Sequence, residues 1–337
     1  MESFVDIKDL GEFGLIERIR KSLIGTTGAD IVGIGDDCAV IPKDEKTSTL
    51  LTTDLLVEGI HFNLAHCSAC QLGYKSLAVN LSDIAAMGGI PGYGLISLAI
   101  PPATTVEFMD EFYQGMSELA GRFGVQIIGG DTTHSNSGFV INIALIGEIE
   151  KGREIYRFGA RPGDLICATG YLGNSAAGLH LMSNHPEELP DFEELAENYR
   201  QPYPHIKQGR ILSESGAVRA MIDISDGLAS DLGHICGASG CGAEIYEELL
   251  PISSALSRYT RKHNLDYLEL SLGGGEDYCL LFTIESEKFT EVNQTLNNAG
   301  YEIYNIGEIS AADNIYIVNK DGGREILKIK GWDHFKK

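Results

Sequence analysis

The chain is short of basic residues and of long apolar runs. Its 337 residues include 26 lysines and arginines against 48 aspartates and glutamates, which gives a formal net charge of -22. Such a charge opposes diffuse attraction to nucleic acid or to an anionic membrane surface, so a polyanionic ligand would need metal cations as intermediaries. The apolar run over 93–100 stops at Pro101-Pro102 and is too short for a membrane helix. We therefore expect neither a nucleic-acid partner nor a membrane partner.

The sequence also lacks a disulfide framework and the common nucleotide-binding loops. The seven cysteines are odd in number and scattered, as in a protein of a reducing cytoplasm. The first residues, with Glu2, Asp6 and Asp9, do not form the pattern of a signal peptide. No Walker-type Gly-Lys-Ser/Thr sequence occurs, which excludes a P-loop kinase, and the glycines over 169–178 miss the Gly-x-Gly-x-x-Gly spacing. We expect a cytoplasmic protein in which these glycines allow tight packing of a strand on a helix.

Two histidines and two cysteines lie close together, at His61, His66, Cys67 and Cys70. They offer nitrogen and sulfur ligands for zinc, but no second Cys-x-x-Cys follows, and structural zinc sites usually need both halves. Zinc is therefore the weaker interpretation. His61 by itself is equally well explained as a structural histidine or as a group that reaches a phosphate or substrate.

The spacing of apolar residues predicts two α/β halves in a chain that is 43% hydrophobic. In the first half it predicts helices over 12–24, 71–86 and 104–123, and strands over 49–54, 93–100 and 139–149 and up to Asp131. In the second half it predicts strands over 165–168, 219–223, 242–246, 278–284, 301–309 and 314–318. A charged, glycine-containing segment at 151–164 separates the halves. We predict domains at 1–150 and 151–337, with a site between them.

Six short acidic clusters, most of them in glycine-rich or hydroxyl-rich turns, are the most informative feature of the chain. They are Gly35-Asp36-Asp37, Thr52-Thr53-Asp54, Ser82-Asp83, Gly129-Gly130-Asp131, Asp223-Ile224-Ser225-Asp226 and Gly274-Gly275-Glu276-Asp277. Each one alone is as well explained by a turn or a helix cap as by a metal ligand. Six together favour hard cations held against phosphates, because carboxylates beside flexible backbone serve that purpose.

Three basic residues and one aromatic residue complete the set of candidates. Arg157 is a candidate phosphate clamp, whereas Arg161 and Lys75 are better explained by structural or solvent-exposed roles. Trp332 is the only tryptophan. A tryptophan near a terminus usually packs against the body of the protein, although beside an acidic site it would also stack on a cationic or heteroaromatic ligand.

An ordered series of motifs runs along nearly the whole chain, at 11–16, 35–40, 52–54, 58–62, 80–88, 129–133, 159–164, 222–228, 273–278 and 331–335. Together they resemble the thiamine-monophosphate kinase family, which belongs to the superfamily of aminoimidazole ribonucleotide synthetase and selenophosphate synthetase. The resemblance implies an α/β (α+β) fold of two domains with a synthetase-like architecture. In it an N-terminal mixed sheet with helices dimerises through its strands, and a C-terminal α/β domain completes the active site.

The resemblance also implies an activity and the residues that carry it. The activity is ATP-dependent phosphorylation of thiamine monophosphate to thiamine diphosphate by direct in-line transfer, with several Mg2+ ions, in a homodimer. The implied metal ligands are Asp36, Thr52, Thr53, Asp54, Asp83, Asp131, Asp223 and Asp226. The implied ATP contacts are Tyr113, Gly130, Asp131, Arg157 and Ser225, and the implied contacts to the thiamine phosphate are His61, Glu276 and Trp332. Phe158 departs from the family, which more often has serine after the arginine.

Physical chemistry supplies a reason for so many carboxylates. The acceptor would be a phosphate monoester that is already ionised near neutral pH, so we predict no catalytic general base. The obstacle is repulsion between two polyanions, which bridging divalent cations neutralise. The positively charged thiazolium suits an aromatic surface at Trp332 and the carboxylates of Glu276-Asp277.

Two alternatives stay open at this point. Another ATP-using enzyme of the same superfamily is one, although a selenophosphate synthetase should carry an N-terminal pair of cysteine and lysine, and no cysteine precedes Cys38. The other is a noncatalytic calcium- or magnesium-binding protein whose acidic turns serve structure alone. It would show metal-dependent stability without ATP turnover.

Overall fold

The computed structural model describes residues 6–23, 28, 30–327 and 335. The first half of the chain contains α1 (Ile7–Ser22), β1 (Ala39–Pro42), β2 (Thr47–Val57), α2 (Ala69–Ala86), β3 (Ile90–Ile100), α3 (Val106–Phe123), β4 (Gln126–His134) and β5 (Val140–Glu150). The second half contains β6 (Leu165–Ala168), α4 (Asn174–Asn184), α5 (Glu193–Arg200), α6 (Ile206–Ser215), β7 (Val218–Asp223), α7 (Leu228–Ser239), β8 (Gly242–Tyr246), α8 (Ser254–His263), α9 (Tyr267–Gly273), β9 (Leu280–Ile284), α10 (Phe289–Asn298), β10 (Tyr304–Ser310), β11 (Ile315–Val318) and β12 (Arg324–Ile326). The predicted α/β fold with two halves is confirmed.

The N-terminal sheet has the strand order β1-β2-β5-β3-β4. β2 pairs with β5 over eleven residues, and β3 pairs in parallel with β4 at the edge. Buried residues alternate along β5, as expected for a sheet with one face on the core. Pairing with β5 carries β2 to Val57, and pairing with β3 carries β4 to His134. The prediction that these strands end at Asp54 and Asp131 was therefore wrong.

The inner face of the N-terminal sheet packs on α2 and α3. Helix α2 is buried over almost its whole length and begins with a capping box formed by Ser68 and Gln71. Its Gly73 lies so close to α3 that a Cβ atom would be 1.8 Å from the carbonyl oxygen of Phe112. The close contact requires glycine, and it fixes α2 firmly beneath the sheet.

The outer face of the same sheet exposes apolar side chains. Leu51 and Leu55 on β2 and Tyr93 and Leu95 on β3 have exposed fractions of 38%, 55%, 43% and 40%. Cross-strand pairing through β5 places these residues on one face. A flat apolar surface of this kind is unusual for the free face of a sheet.

The C-terminal sheet has the order β12-β11-β8-β10-β6-β9-β7 and is covered on both faces. Met221 and Phe282 join the core that contains α2, whereas Ile222 and Leu281 pack with Leu232 of α7. One core therefore continues from the N-terminal half into the C-terminal half. No helix or strand occupies 151–164, and the division into domains at 1–150 and 151–337 stays a prediction.

None of the helices in the described part of the chain is both long enough and apolar enough to cross a membrane.

Candidate functional site

A cleft of about 1280 Å³ lies between the two halves of the molecule. It is lined from the first half by Thr53, Asp54 and His61 and from the second by Ser225, Asp226 and Glu276. All six are residues that the sequence predicted for the site. Strand β2, the loop after β7 and the loop before β9 bring them together.

Three carboxylates from three different elements form a cluster beside this cleft, which we call the acidic cluster. Asp37 precedes β1, Asp83 lies on α2, and Asp223 ends β7. One carboxylate oxygen of each lies within 4.8 Å of one oxygen of each of the others. Asp37 and Asp223 are buried, so the three charges face each other with little water between them.

Burial and mutual repulsion raise the pKa values of the carboxyl groups in this region. Burial, with a smaller contribution from Asp37, raises the pKa of Asp223 to about 8 and that of Asp54 to about 6. Burial, followed by the charges of Asp54 and Asp223, also raises the pKa of Asp83 well above its ordinary value. Groups that resist ionisation in this way identify a site whose negative charge is only partly balanced, since Arg157 pairs with one oxygen of Asp37.

The acidic cluster fits a hard cation. Its donor atoms are all oxygens, which Mg2+ and Ca2+ prefer. The Oδ2 atom of Asp37 is buried and has no hydrogen-bond partner in the described part of the chain. An unpaired buried carboxylate oxygen is costly, and a bound cation would remove that cost.

Hydroxyl and amide groups surround the carboxylates. The Thr52 hydroxyl donates a hydrogen bond to Oδ2 of Asp83. The amide of Asn142 donates to Oγ1 of Thr53 at 2.9 Å and to the backbone oxygen of Asp54 at 3.0 Å. These bonds tie β2 to β5 and to α2, so the polar strand segment is held rigidly at the cleft.

The arginine predicted to clamp a phosphate lies next to the first acidic turn. The Arg157 guanidinium donates to Oδ1 of Asp37 at 2.6 Å, and its backbone N–H donates to the Asp36 carboxylate at 3.2 and 3.3 Å. Burial, followed by the charge of Asp37, raises the pKa of Asp36 to about 7. Asp36 therefore accepts from the Arg157 backbone, and its neighbour Asp37 joins the acidic cluster. The prediction omitted Asp37, although its motif contains both carboxylates.

A second acidic group follows β7. Asp226, Asp231 and His234 bring one ligand atom each within 4.8 Å of the others. Asp231, in the first turn of α7, accepts the backbone N–H of Asp226 at 3.2 Å and that of Gly227 at 3.1 Å. Asp231 was not among the residues predicted for the site. The sequence feature that could have indicated it is its position in the first turn of a helix, shortly after the polar residues of 223–226.

A buried lysine lies beside the cleft, next to two of its lining residues. Lys75 on α2 forms an ion pair with Oε2 of Glu276 at 3.1 Å, and its ammonium nitrogen lies 3.5 Å from the centre of the Tyr199 ring. Glu276 and Tyr199 line the cleft. We call Lys75, Glu276 and Tyr199 the lysine cluster. The expectation of a structural or solvent-exposed Lys75 was wrong about solvent, because its side chain is 1% exposed.

The loop that carries Glu276 has an unusual backbone. Glu276 has φ 66° and Tyr278 has φ 50°, in the left-handed region that non-glycine residues rarely adopt. The N–H groups of both residues donate at 2.8 Å, to the carbonyl oxygens of Ser225 and Ile224. A Cβ atom on Gly275 would lie 2.5 Å from the Ser225 oxygen, so glycine is required there. The two polar loops of the site are thus locked to each other.

Asp277 has a structural position, in contrast to the prediction that it faces the thiazolium with Glu276. Its carboxylate accepts the backbone N–H of Gly173 at 2.7 Å and that of Ser175 at 3.2 Å, which caps the start of α4.

The glycines of the 169–178 segment lie close to neighbouring residues. A Cβ on Gly178 would be 2.0 Å from the Leu195 oxygen. The glycine at 178 does serve tight packing, but it joins helix α4 to helix α5, whereas the prediction was packing of a strand on a helix.

Several predicted residues lie away from the cleft in a single chain. Tyr113 is exposed on α3, and Gly130 and Asp131 are exposed on the edge strand β4. A Cβ on Gly130 would lie 1.7 Å from the Ile96 oxygen, so the glycine allows β4 to approach β3. Trp332 lies outside the described residues, although Phe335 lines the cleft.

The four potential zinc ligands do not assemble. His61 accepts the Val57 N–H at 2.9 Å, and Nε2 of His66 contacts the Ser183 hydroxyl at 3.3 Å. Among the described residues, none of the groups positioned to hold a metal ion includes Cys67 or Cys70. The zinc interpretation gains no support from the structure.

Comparison with known proteins agrees with this architecture. The family described as "AIR synthase related protein, N-terminal domain" matches residues 35–149, and the corresponding C-terminal domain matches 161–320. The thiamine-monophosphate kinase of Bacillus subtilis is 38% identical over 331 residues, covering 97% of this chain and 100% of that protein. The enzyme of the same name from Escherichia coli is 39% identical, covering 96% of this chain and 98% of that protein.

A solved structure described as "AaThiL complexed with AMPPCP and TMP" has the same fold, with a TM-score of 0.87 and 36% sequence identity over 98% of this chain and 99% of that one. Matches that extend over nearly the full length of both proteins leave no large segment of either unaccounted for. The chain belongs to the thiamine-monophosphate kinase family.

Proposed function

We propose that this protein transfers the γ-phosphoryl group of ATP to thiamine monophosphate, which yields thiamine diphosphate, the last step of its biosynthesis. The observation that carries the proposal is the acidic cluster, where Asp37, Asp83 and Asp223 converge from both halves beside a large cleft. Membership of the family supports the reaction, and so does a fold neighbour whose structure holds AMPPCP and TMP.

We propose Mg2+ as the cation, with several ions per site. The acidic cluster would hold the ions, with Thr52 bonded to Asp83 of that cluster and with Thr53, Asp54 and Asp226 on the cleft. Asp36 and Asp131 stay predicted ligands. Bound Mg2+ would supply positive charge that neutralises the phosphates of donor and acceptor.

The chain's own residues bind and orient the two substrates. The acceptor oxygen is ionised near neutral pH, so the chain needs no general base. Rigid placement of donor and acceptor is then its main contribution to the rate. The bonds from Thr52 to Asp83 and from Asn142 to β2 supply that rigidity at the cleft.

Contacts to the two substrates are proposed as predicted from the sequence. Arg157, Ser225, Tyr113, Gly130 and Asp131 would contact ATP. His61, Glu276 and Trp332 would contact the thiamine phosphate. His61 and Glu276 lie on the same cleft, which Phe335 also lines.

We propose that the protein is a homodimer assembled through the N-terminal sheets. The exposed apolar face formed by Leu51, Leu55, Tyr93 and Leu95 supports this assembly, because burial of such a face in water is favourable. It would also explain why Tyr113, Gly130 and Asp131 lie outside the cleft of a single chain.

Light scattering tests the assembly. Leu95→Asp should convert a dimer into a monomer, whereas Leu249→Asp, at an exposed leucine of the C-terminal half with a similar exposed fraction of 43%, should leave the mass unchanged. A monomeric unsubstituted protein would contradict the proposed dimer.

We propose that the protein works in the cytoplasm. All seven cysteines lie in the described part of the chain and none is in a disulfide, as expected where thiols stay reduced. Fractionation of cells with an antibody against the chain would test this, and recovery from a secreted fraction would contradict it.

The experiment for the reaction follows phosphate from labelled ATP into thiamine diphosphate, with and without Mg2+. Thiamine and aminoimidazole-pathway substrates serve as alternative acceptors. The proposal predicts Mg2+-dependent labelling with thiamine monophosphate alone. Turnover only with another acceptor would overturn the substrate, and absence of ATP turnover would favour the noncatalytic metal-binding protein.

A further inference from the structure

Lys75 is a charged side chain in a place where charge is costly. Only 1% of its side chain is exposed, and α2 around it is buried on all sides. A buried ammonium group is tolerated when an opposite charge and further contacts replace its water. Glu276 supplies the charge at 3.1 Å, and the face of Tyr199 supplies a cation–π contact at 3.5 Å.

One of these partners, Tyr199, connects Lys75 to a third residue of the cleft. The Tyr199 hydroxyl donates a hydrogen bond at 3.2 Å to the carbonyl oxygen of His61. The His61 ring, for its part, accepts the N–H of Val57 at 2.9 Å. One lysine therefore touches Glu276 directly and reaches the His61 segment through a single aromatic side chain.

The contact with Lys75 is the hydrogen bond and ion pair that holds the Glu276 side chain among the described residues. The backbone of the residue is held by the bond to the Ser225 oxygen, in a left-handed conformation. Its carboxylate, which is 25% exposed at the cleft, has Lys75 as its ion-pair partner. A carboxylate that must meet a cationic or hydrogen-bonding ring needs a fixed direction as well as a charge.

We propose that Lys75 is the positioning residue for the organic part of the acceptor: it fixes the Glu276 carboxylate and, through Tyr199, the His61 segment. The inference rests on the proposed function for the identity of that acceptor. Lys75 itself lies behind the two side chains and does not line the cleft. It acts on selectivity and affinity, and the chemical step depends on the acidic cluster.

The test compares Lys75→Met and Lys75→Arg with a matched lysine elsewhere. Lys262 has the same kinds of partner, with Glu188 at 2.8 Å and the Phe192 ring at 5.6 Å, but its side chain is 48% exposed. Lys75→Met is expected to raise KM for thiamine monophosphate by about 10-fold or more while KM for ATP changes less than about 2-fold. Lys75→Arg should restore part of the loss, and Lys262→Met should change neither constant.

A double-mutant cycle separates positioning from general stability. If Lys75 acts by fixing Glu276, then Lys75→Met should add little to the KM change already produced by Glu276→Gln. Fully multiplicative effects, or equal rises in KM for both substrates, would overturn the inference.

Hydrogen exchange supplies a measurement that does not depend on turnover. Amides of 57–62 and 275–278 should exchange faster in Lys75→Met than in the unsubstituted protein, and those segments should be unchanged in Lys262→Met. If the unsubstituted protein does not phosphorylate thiamine monophosphate, the proposed function fails, but this exchange result still decides whether Lys75 holds the two segments. Unchanged exchange there would overturn the positioning role.

Discussion

Helix α2 contributes one residue to each of two charged clusters beside the cleft, and these clusters solve opposite electrostatic problems. Lys75 and Asp83 are eight residues apart, about 12 Å along the helix axis. At the lysine cluster, the charge of Glu276 is balanced inside the protein. At the acidic cluster, three carboxylates face each other and one oxygen of Asp37 has no partner among the described residues.

The two clusters obtain their balancing charge from different sources. The lysine cluster is complete in the chain alone, as suits recognition of an organic group. The acidic cluster is complete only with a cation, as suits two phosphates that must approach each other. Variants that alter one cluster and leave the other intact test this division.

Asp223→Asn should reduce turnover by at least about 1000-fold, because it removes a carboxylate from the acidic cluster at nearly constant shape. Steady-state labelling of thiamine diphosphate measures it. Asp164→Asn is the matched control: Asp164 is a buried aspartate paired with Arg219 at 3.1 Å. That control should lower the melting temperature while kcat stays within about 2-fold. Near-normal turnover of Asp223→Asn would remove the residue from the metal site.

Mg2+ should stabilise the folded protein mainly through the acidic cluster. At a concentration 100 times its dissociation constant, a ligand adds about 2.7 kcal/mol to the free energy of unfolding. Calorimetry with Mg2+ and with EDTA should show this gain in the unsubstituted protein and in Glu276→Gln. The gain should shrink strongly in Asp223→Asn, and an equal gain in all three proteins would place the cation elsewhere.

Glu276→Gln should raise KM for thiamine monophosphate by about 10-fold, equivalent to about 1.4 kcal/mol, with a small change in kcat. The substitution removes the negative charge that faces the cleft, and the size of the side chain is nearly unchanged. Glu269, another carboxylate that lines the cleft, supplies the control Glu269→Gln, which should leave KM unchanged. Equal rises in the two variants would mean that only the total charge of the cleft matters.

Tyr199→Phe should have the smallest effect. It removes only the hydrogen bond to the His61 oxygen, worth about 0.5–1.5 kcal/mol, and keeps the aromatic face above Lys75. KM for thiamine monophosphate should rise by about 2- to 5-fold. Tyr199→Leu, which also removes the ring, should cost more, and a reversed order would show that the cation–π contact contributes nothing.

Much of the fold and of the acidic cluster could be predicted from the sequence, because both follow from local patterns. Apolar spacing predicted β6 as observed and located most of the other elements. The surplus of carboxylates in polar turns identified Asp83 and Asp223. Strand ends were less predictable: pairing with β5 extends β2 past Asp54, and polar residues alone do not stop a ladder that has a partner strand.

The lysine cluster could not be predicted, because its contacts join distant parts of the chain. Lys75 and Glu276 are 201 residues apart, and neither residue type indicates the other locally. Asp37 was missed for a different reason: adjacent carboxylates in one turn point in different directions, and the sequence does not say which one faces the site. Tertiary packing decides both.

A side-by-side measurement of kcat and of both KM values for Asp223→Asn and Glu276→Gln would test the division of the cleft. The structure predicts that Asp223→Asn loses turnover at any concentration of thiamine monophosphate, whereas Glu276→Gln regains nearly full turnover when that substrate is saturating. Loss of kcat in Glu276→Gln as severe as in Asp223→Asn, or recovery of Asp223→Asn at high substrate, would contradict it.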